Sequence, residues 1–193
     1  MKKLFITFII YICFLNISFG ADLKKGLEAA KNKDYETAYL EWLPLAKEGD
    51  PWAQYNIGQM YRQGHGLEKN SEMAFEWYLK AANQGLGIAQ FAVGASYSNA
   101  DGISRDYQEA FEWFNLAAKQ QNYSAQYQIG RIYYYGVGRE KDIILSHMWL
   151  NIASFNGSEE AKNFLIPVSD KLDKNELMVA REMARECVRN FYI

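Results

Sequence analysis

At 193 residues, with 49% hydrophobic and 23% charged side chains and only 3 prolines, the chain has the composition of a folded globular protein, not of a linker, stalk or disordered tail. Its 21 Lys and Arg against 23 Asp and Glu, a net charge of −2, exclude a general nucleic-acid binder, which needs a basic excess to neutralise phosphate. Two cysteines and two histidines leave little material for redox or metal chemistry, and no cofactor is expected.

The first element is a leader. Lys2 and Lys3 precede an apolar run from Leu4 to Leu15, too short to span a bilayer as a stable helix, and Ser18 and Gly20 place small residues before Ala21. The pattern predicts a secretory signal peptide over residues 1–20, cleaved before Ala21. The expected location is periplasmic or secreted, without stable membrane insertion after cleavage. Lipidation at Cys13 is disfavoured by the bulky Ile12 before it, and an uncleaved anchor by the short run. Cleavage removes Lys2, Lys3 and Cys13, so the exported chain is more acidic and keeps Cys187 alone, which rules out an intrachain disulfide.

Residues 22–50 read as a helical hairpin: a helix from about Asp22 to Lys31, then Asp34 to Gly49, a partial copy of the units C-terminal to it. From there the chain repeats at an offset of 36 residues, giving units 51–86, 87–122 and 123–158. Ala53, Ala89 and Ala125 fall in register, as do Gln54, Gln90 and Gln126; Ile57, Val93 and Ile129; Gly58, Gly94 and Gly130; Tyr61, Tyr97 and Tyr133. A second block aligns Asn70 with Asp106 and Asp142, and Trp77 with Trp113 and Trp149. Apolar residues at i, i+4 and i+8 in the first block and i, i+3/i+4 and i+7/i+8 in the second predict two helices per unit, joined by a glycine loop. Gly49-Asp50-Pro51 supplies a helix stop, an N-cap and a first-turn proline. The small columns permit close helix approach, and no unit buries both its faces alone. The predicted fold is therefore all-α: an α-solenoid of helix-turn-helix repeats of period 36 with a C-terminal helical cap over residues 159–193. In that cap, Pro167 should bend or end a helix that starts near Ser158, and Asp173 to Glu176 has capping-box spacing. Leu177, Ala180, Ala184, Cys187, Val188 and Phe191 mark one face of the last helix. Ile144 and Leu145, apolar where earlier units carry Glu72/Gln108 and Met73/Glu109, mark the surface it should cover, with a homodimer through the same stripe as the competing arrangement.

The order Ala-Gln-Tyr-x-Ile-Gly-x-x-Tyr-x-x-Gly-x-Gly at 53–66, followed by Ala74, Trp77-Tyr78, Lys80-Ala81-Ala82 and Gly85, resembles the Sel-one-like repeat, a relative of the tetratricopeptide repeat. The resemblance runs from about Asp34 to Ser158. Unit two departs from it, with Ala100 at the first loop glycine and Gln121 at the closing one. Membership implies a protein-binding solenoid with envelope, signalling or host-contact roles. Cysteine-rich relatives linked to β-lactams imply an enzymatic role that these residues do not support: paired cysteines and a Ser-x-x-Lys motif are both missing.

No catalytic set emerges. His65 and His147 stand in unlike columns, His147 at the place of Phe75 and Phe111, which reads as packing; Cys187 sits at apolar spacing; the glycine loops lack a preceding strand and a Gly-Lys-Ser/Thr signature. The expected function is non-enzymatic: an interaction scaffold of the cell envelope that binds another protein or a peptide on its concave face. That face is expected along the first helix of each unit. Candidate contacts are Trp52, Asn56, Gln59, Gln63, Asn99, Gln128, Arg131 and Tyr135, positions whose contents change from unit to unit while the framework columns repeat. Drift of a solvated surface accounts for the same variation, and packing between units for the aromatics Trp52, Tyr134 and Tyr135. The alternative function is recognition of a cell-wall glycan or stem peptide, peptidoglycan being the possible partner, with those aromatics as platforms.

Overall fold

Asp22 accepts from the backbone N–H groups of Lys24 and Lys25 and so starts the first of ten helices that make up the regular structure of the described residues. The computed structural model describes residues 21–192; the expected leader, its cleavage site and Cys13 lie outside the described residues, as does the side chain of Phe191. In chain order the helices are α1 (Leu23–Lys31), α2 (Tyr35–Glu48), α3 (Pro51–Gln63), α4 (Ser71–Asn83), α5 (Gly87–Asn99), α6 (Tyr107–Lys119), α7 (Tyr123–Tyr135), α8 (Ile143–Phe155), α9 (Glu159–Ser169) and α10 (Lys174–Tyr192). The architecture is the α-solenoid read from the 36-residue period.

Short polar side chains open nearly every helix. Asp50, Asn70, Asn122, Asp142 and Ser158 each accept from the N–H three residues on, a contact worth about 1 kcal/mol per helix. Before α10 the capping box is reciprocal: Asp173 accepts from Glu176 N–H at 2.9 Å and donates its own N–H to the Glu176 carboxylate at 2.8 Å. Pro167 does not end α9, which runs on to Ser169, because a proline this near the C-terminus removes only one solvent-side hydrogen bond.

Within a unit the two helices meet at the glycine column. A Cβ on Gly58, Gly94 or Gly130 would come within 2.7 Å of Tyr78, Phe114 or Leu150, the next column across, so only a bare Cα admits the partner helix. Between units, Phe75 packs edge-on against Tyr97 at 5.4 Å between ring centroids, and Phe111 against Tyr133 at 5.7 Å.

The glutamine column closes three junctions, α2 to α3, α4 to α5 and α6 to α7; at α8 to α9 the column holds the exposed Lys162. Gln54, Gln90 and Gln126 are buried, and each donates from Nε2 to the carbonyl eight residues back, Ala46, Ala82 or Ala118, at the end of the preceding unit's second helix. Each Oε1 accepts from the amide at the end of its own unit's second helix: Gln84 at 2.8 Å, Gln120 at 2.9 Å and Asn156 at 2.9 Å. One amide thus ties three helices together and satisfies a helix-terminal carbonyl that burial would otherwise strand.

The last unit breaks the pattern. α9 takes the place of a fourth first helix, but Ile166 stands where the glycine column would continue and is 67% exposed. The glycine that admits a second helix in the other units is therefore missing from α9, and α10 packs mainly on α8. Met148, Ile152 and Ala184 form the buried centre of that contact, flanked by Leu145, Trp149, Met183, Cys187 and Val188. The tail therefore covers its own solenoid, with one correction: of the two marker residues only Leu145 joins this cluster, and Ile144 stays outside it, half-buried.

Candidate functional site

The eight candidate contact residues fall into two grooves and one outlier. Asn56, Gln59 and Gln63, on successive turns of α3, line a groove of about 240 Å³ that also takes Tyr35, Trp42 and His65. Asn99 at the end of α5 joins Gln128, Arg131 and Tyr135 of α7 in a second groove of about 300 Å³, with Arg105 and Tyr107 at its rim and Phe114 in its floor. Trp52 lies outside both, in the first turn of α3, 49% exposed.

The grooves are one architectural feature met twice. Tyr107, Phe114, Gln128, Arg131, Tyr135 and Val137 follow Tyr35, Trp42, Asn56, Gln59, Gln63 and His65 by two repeat lengths. In the unit between, the corresponding columns hold Ser71, Tyr78, Ala92, Ala95, Asn99 and Asp101, of which Ala95 and Asn99 already line the second groove, so two polar stations, on α3 and α7, are separated by the small Ala92 and Ala95 on α5. Sequence reading missed Tyr35, His65, Arg105 and Tyr107, which sit at loop ends and not on the first helices. Comparison at twice the period would have found the Tyr35/Tyr107 pair.

Chemically the stations differ. In the first, Gln59 is a hub: its amide donates to the Tyr55 hydroxyl at 2.5 Å, and its oxygen accepts from the Tyr78 hydroxyl at 2.9 Å, Arg62 Nε at 3.2 Å and Gln63 Nε2 at 3.4 Å. Burial pushes both phenols above their ordinary titration range, so they stay protonated and hold this network. Gln59 is thus as much framework as contact residue. His65 stacks on Tyr35 at 4.3 Å with 17° between the rings, and no carboxylate lines the groove.

The second station is cationic. Arg131 lies within reach of two rings, Tyr127 at 5.7 Å and Tyr135 at 5.8 Å, and gives one N–H to Gln128 at 3.2 Å. Arg105 stands 5.7 Å from the Tyr107 ring. Neither arginine forms an ion pair among the described residues, and no acid lines the groove. Tyr135 is 55% exposed while its ring meets Tyr134 and Phe164 of α9, and Tyr134 packs on Phe164 at 5.0 Å. Packing between units therefore accounts for Tyr134, whereas Tyr135 also offers a free face.

His147 is buried, and desolvation, helped by the positive Arg181, holds its imidazole below the ordinary histidine range and neutral. Burial pushes the Cys187 thiol up, away from the thiolate form a nucleophile needs. Among the described residues no group of His, Cys, Asp and Glu is placed to hold a metal ion, and no helix is long and apolar enough to cross a membrane.

The family model described as Sel1 repeat matches residues 53–86, 87–122 and 124–158. Among solved structures, a Sel1 repeat protein from Oxalobacter formigenes is 33% identical with a TM-score of 0.74, over 86% of this chain and 70% of that one. The protein c5321, a protective antigen present in uropathogenic Escherichia coli strains displaying an SLR fold, is 28% identical with a TM-score of 0.79. That match covers 89% of this chain but only 38% of the antigen, which extends well beyond it. No curated protein matches.

Proposed function

The chain belongs to the Sel1 repeat family, whose members generally mediate protein–protein interaction and are typically non-catalytic scaffolds, and from that premise we propose that it is a non-enzymatic scaffold of the cell envelope that binds an extended protein segment along its first-helix face. The observation that carries this reading is the pair of polar grooves two units apart, built on a framework that repeats while their lining changes. Asn56 and Gln63 offer neutral hydrogen-bonding groups at one end; Arg131 and Arg105, without an ion pair among the described residues, offer cations at the other. A segment laid along the face would pass over Ala92 and enter the second groove at Ala95. The envelope location follows from the leader read over residues 1–20.

The test is capture of partners from an envelope extract by the exported chain. Arg131→Glu combined with Asn56→Ala should lose the partner that the parent protein retains, without loss of melting temperature. Retention of every partner by that variant would remove the first-helix face from consideration. Gln59 is left intact because its network holds α3 to α4.

A second reading rests on the exposed rings of Trp52 and Tyr135, platforms of the kind that sugar rings stack upon. Co-sedimentation with purified peptidoglycan separates the two: enrichment in the pellet that is lost in Trp52→Ala favours the glycan, and no enrichment excludes it.

A further inference from the structure

Four positions on the outer side of α8 are all apolar, where each earlier unit has one apolar and three polar or charged side chains. Leu145, Met148, Ile152 and Phe155 stand where the preceding units carry Met73/Glu109, Glu76/Glu112, Lys80/Leu116 and Asn83/Lys119. The first three are accounted for by α10, which packs over them. Phe155 is not. It lies past the reach of the α10 contact and is 78% exposed, a whole aromatic ring in water at a position held elsewhere by an amide and an ammonium group.

Phe155 lines a groove of about 410 Å³ between α8 and α10. Its floor is apolar, from Ile152 and Ala184, and its α10 wall is a ladder of Arg181, Arg185 and Arg189, one above another at i, i+4 and i+8. No carboxylate of the described residues lines it. Arg185 reaches the exposed Glu182 on its own helix at 3.1 Å, while Arg181 and Arg189 form no ion pair among the described residues. Like charges at this spacing repel and weaken an isolated helix. Glu182 pairs with Arg185 and the last-turn position of Arg189 suits the helix dipole, but Arg181 has no such partner among the described residues, and all three guanidinium groups line the groove. The groove lies off the first-helix face and shares no lining residue with either groove there.

We propose that this outer groove is a second docking site, whose occupant is an acidic segment of a partner protein carrying an aromatic or branched apolar side chain. The apolar side chain lies on Phe155 and Ile152, and flanking carboxylates pair with the arginine ladder, where planar guanidinium groups accept two-point contacts. A cavity of this size suits one large side chain and its neighbours, and it is a groove, not the flat basic face that a lipid surface meets.

The probe is a fluorescein-labelled octapeptide of six glutamates around two central phenylalanines, followed by fluorescence anisotropy with the purified protein. Saturable binding is expected, weakening as salt rises, at least tenfold weaker in Phe155→Ala and in the Arg185→Ala, Arg189→Ala double variant, and unchanged in Arg131→Ala. All three substituted side chains at the outer groove are exposed, so the variants should keep the parent's melting temperature. Phe155→Trp gives an independent readout, its emission moving to shorter wavelength as peptide is added. Four results would overturn the proposal: no saturable binding, equal binding of the peptide with glutamines for glutamates, displacement of the peptide by phosphatidylglycerol vesicles, or an unmoved Phe155→Trp spectrum at saturating peptide. Loss of binding in Arg131→Ala alone would assign the peptide to the first-helix face and likewise reject the outer groove.

Discussion

Ala100 holds a left-handed backbone, φ 58°, at the place where Gly64 and Gly136 take φ 74° and 70°. The loop of unit two thus keeps the shape of its neighbours despite the missing glycine, at the steric cost a Cβ brings to that region. Ala100→Gly should raise stability by roughly 1 kcal/mol, read as a shift of the urea midpoint at unchanged slope; a lower midpoint would show the strain to be relieved elsewhere. The opposite change belongs to the helix-contact glycines. Gly94→Leu places its Cβ within 2.7 Å of Phe114 and 3.1 Å of the Ala110 carbonyl, with the rest of the side chain still to fit, and should cost about 3 kcal/mol. His147 contributes a pH dependence. In the unfolded chain its imidazole titrates near 6.5, and in the folded protein burial and Arg181 hold it lower. Between those two values the unfolded state binds the proton more readily, so the histidine's contribution is complete above 6.5 and falls away as pH drops toward the folded value. Melting temperatures at pH 7 and pH 5 should therefore differ more for the parent than for His147→Phe, and equal slopes would show that the imidazole is not held neutral. The glycine, alanine and aromatic columns could be read from residue spacing because packing demands the same size at the same place in every unit. The role of the glutamine column could not, since its partners, Ala46 and Gln84 for the first unit, lie on other helices and become neighbours only in the stacked structure.

At the scale of the element, α10 is where the period stops predicting the packing. Its own caps and apolar face were readable, but its packing on α8 goes with the loss of the glycine column at Ile166, a change visible only once α9 is aligned as a fourth first helix. The stronger signal for the docking surface was Met148 and Ile152, each replacing a charged residue of unit one, rather than Ile144. Truncation after Leu172 should uncover Met148 and Ile152, lower solubility and reduce the melting temperature, while the full-length chain sediments as a monomer. An equally soluble and stable truncated protein would show that α10 covers nothing the solenoid needs. A full-length dimer that Ile152→Glu dissociates would mean that the stripe is shared between copies. The grooves divide in the same way. Their first-helix residues were found because those positions vary against a constant background, whereas Tyr35, His65, Arg105 and Tyr107 enter from loop ends that spacing along one helix cannot register.

Taken whole, the described molecule is a row in which three successive joins are made alike: an alanine carbonyl from one unit, a buried glutamine from the next, and a side-chain amide that closes the far end. Nothing in that join refers to where along the row it stands. Length is accordingly a free variable of the interior of this row, where a unit can be gained or lost between the N-terminal hairpin and the last unit, whose Leu145, Met148 and Ile152 are fitted to α10, without redesign of the joins. The separation between the two polar stations then changes only in whole steps of 36 residues, like marks on a ruler. The measuring stick itself is what such a chain can pass on: selection acting on the number of units alters the span of the segment it grips while leaving each grip untouched.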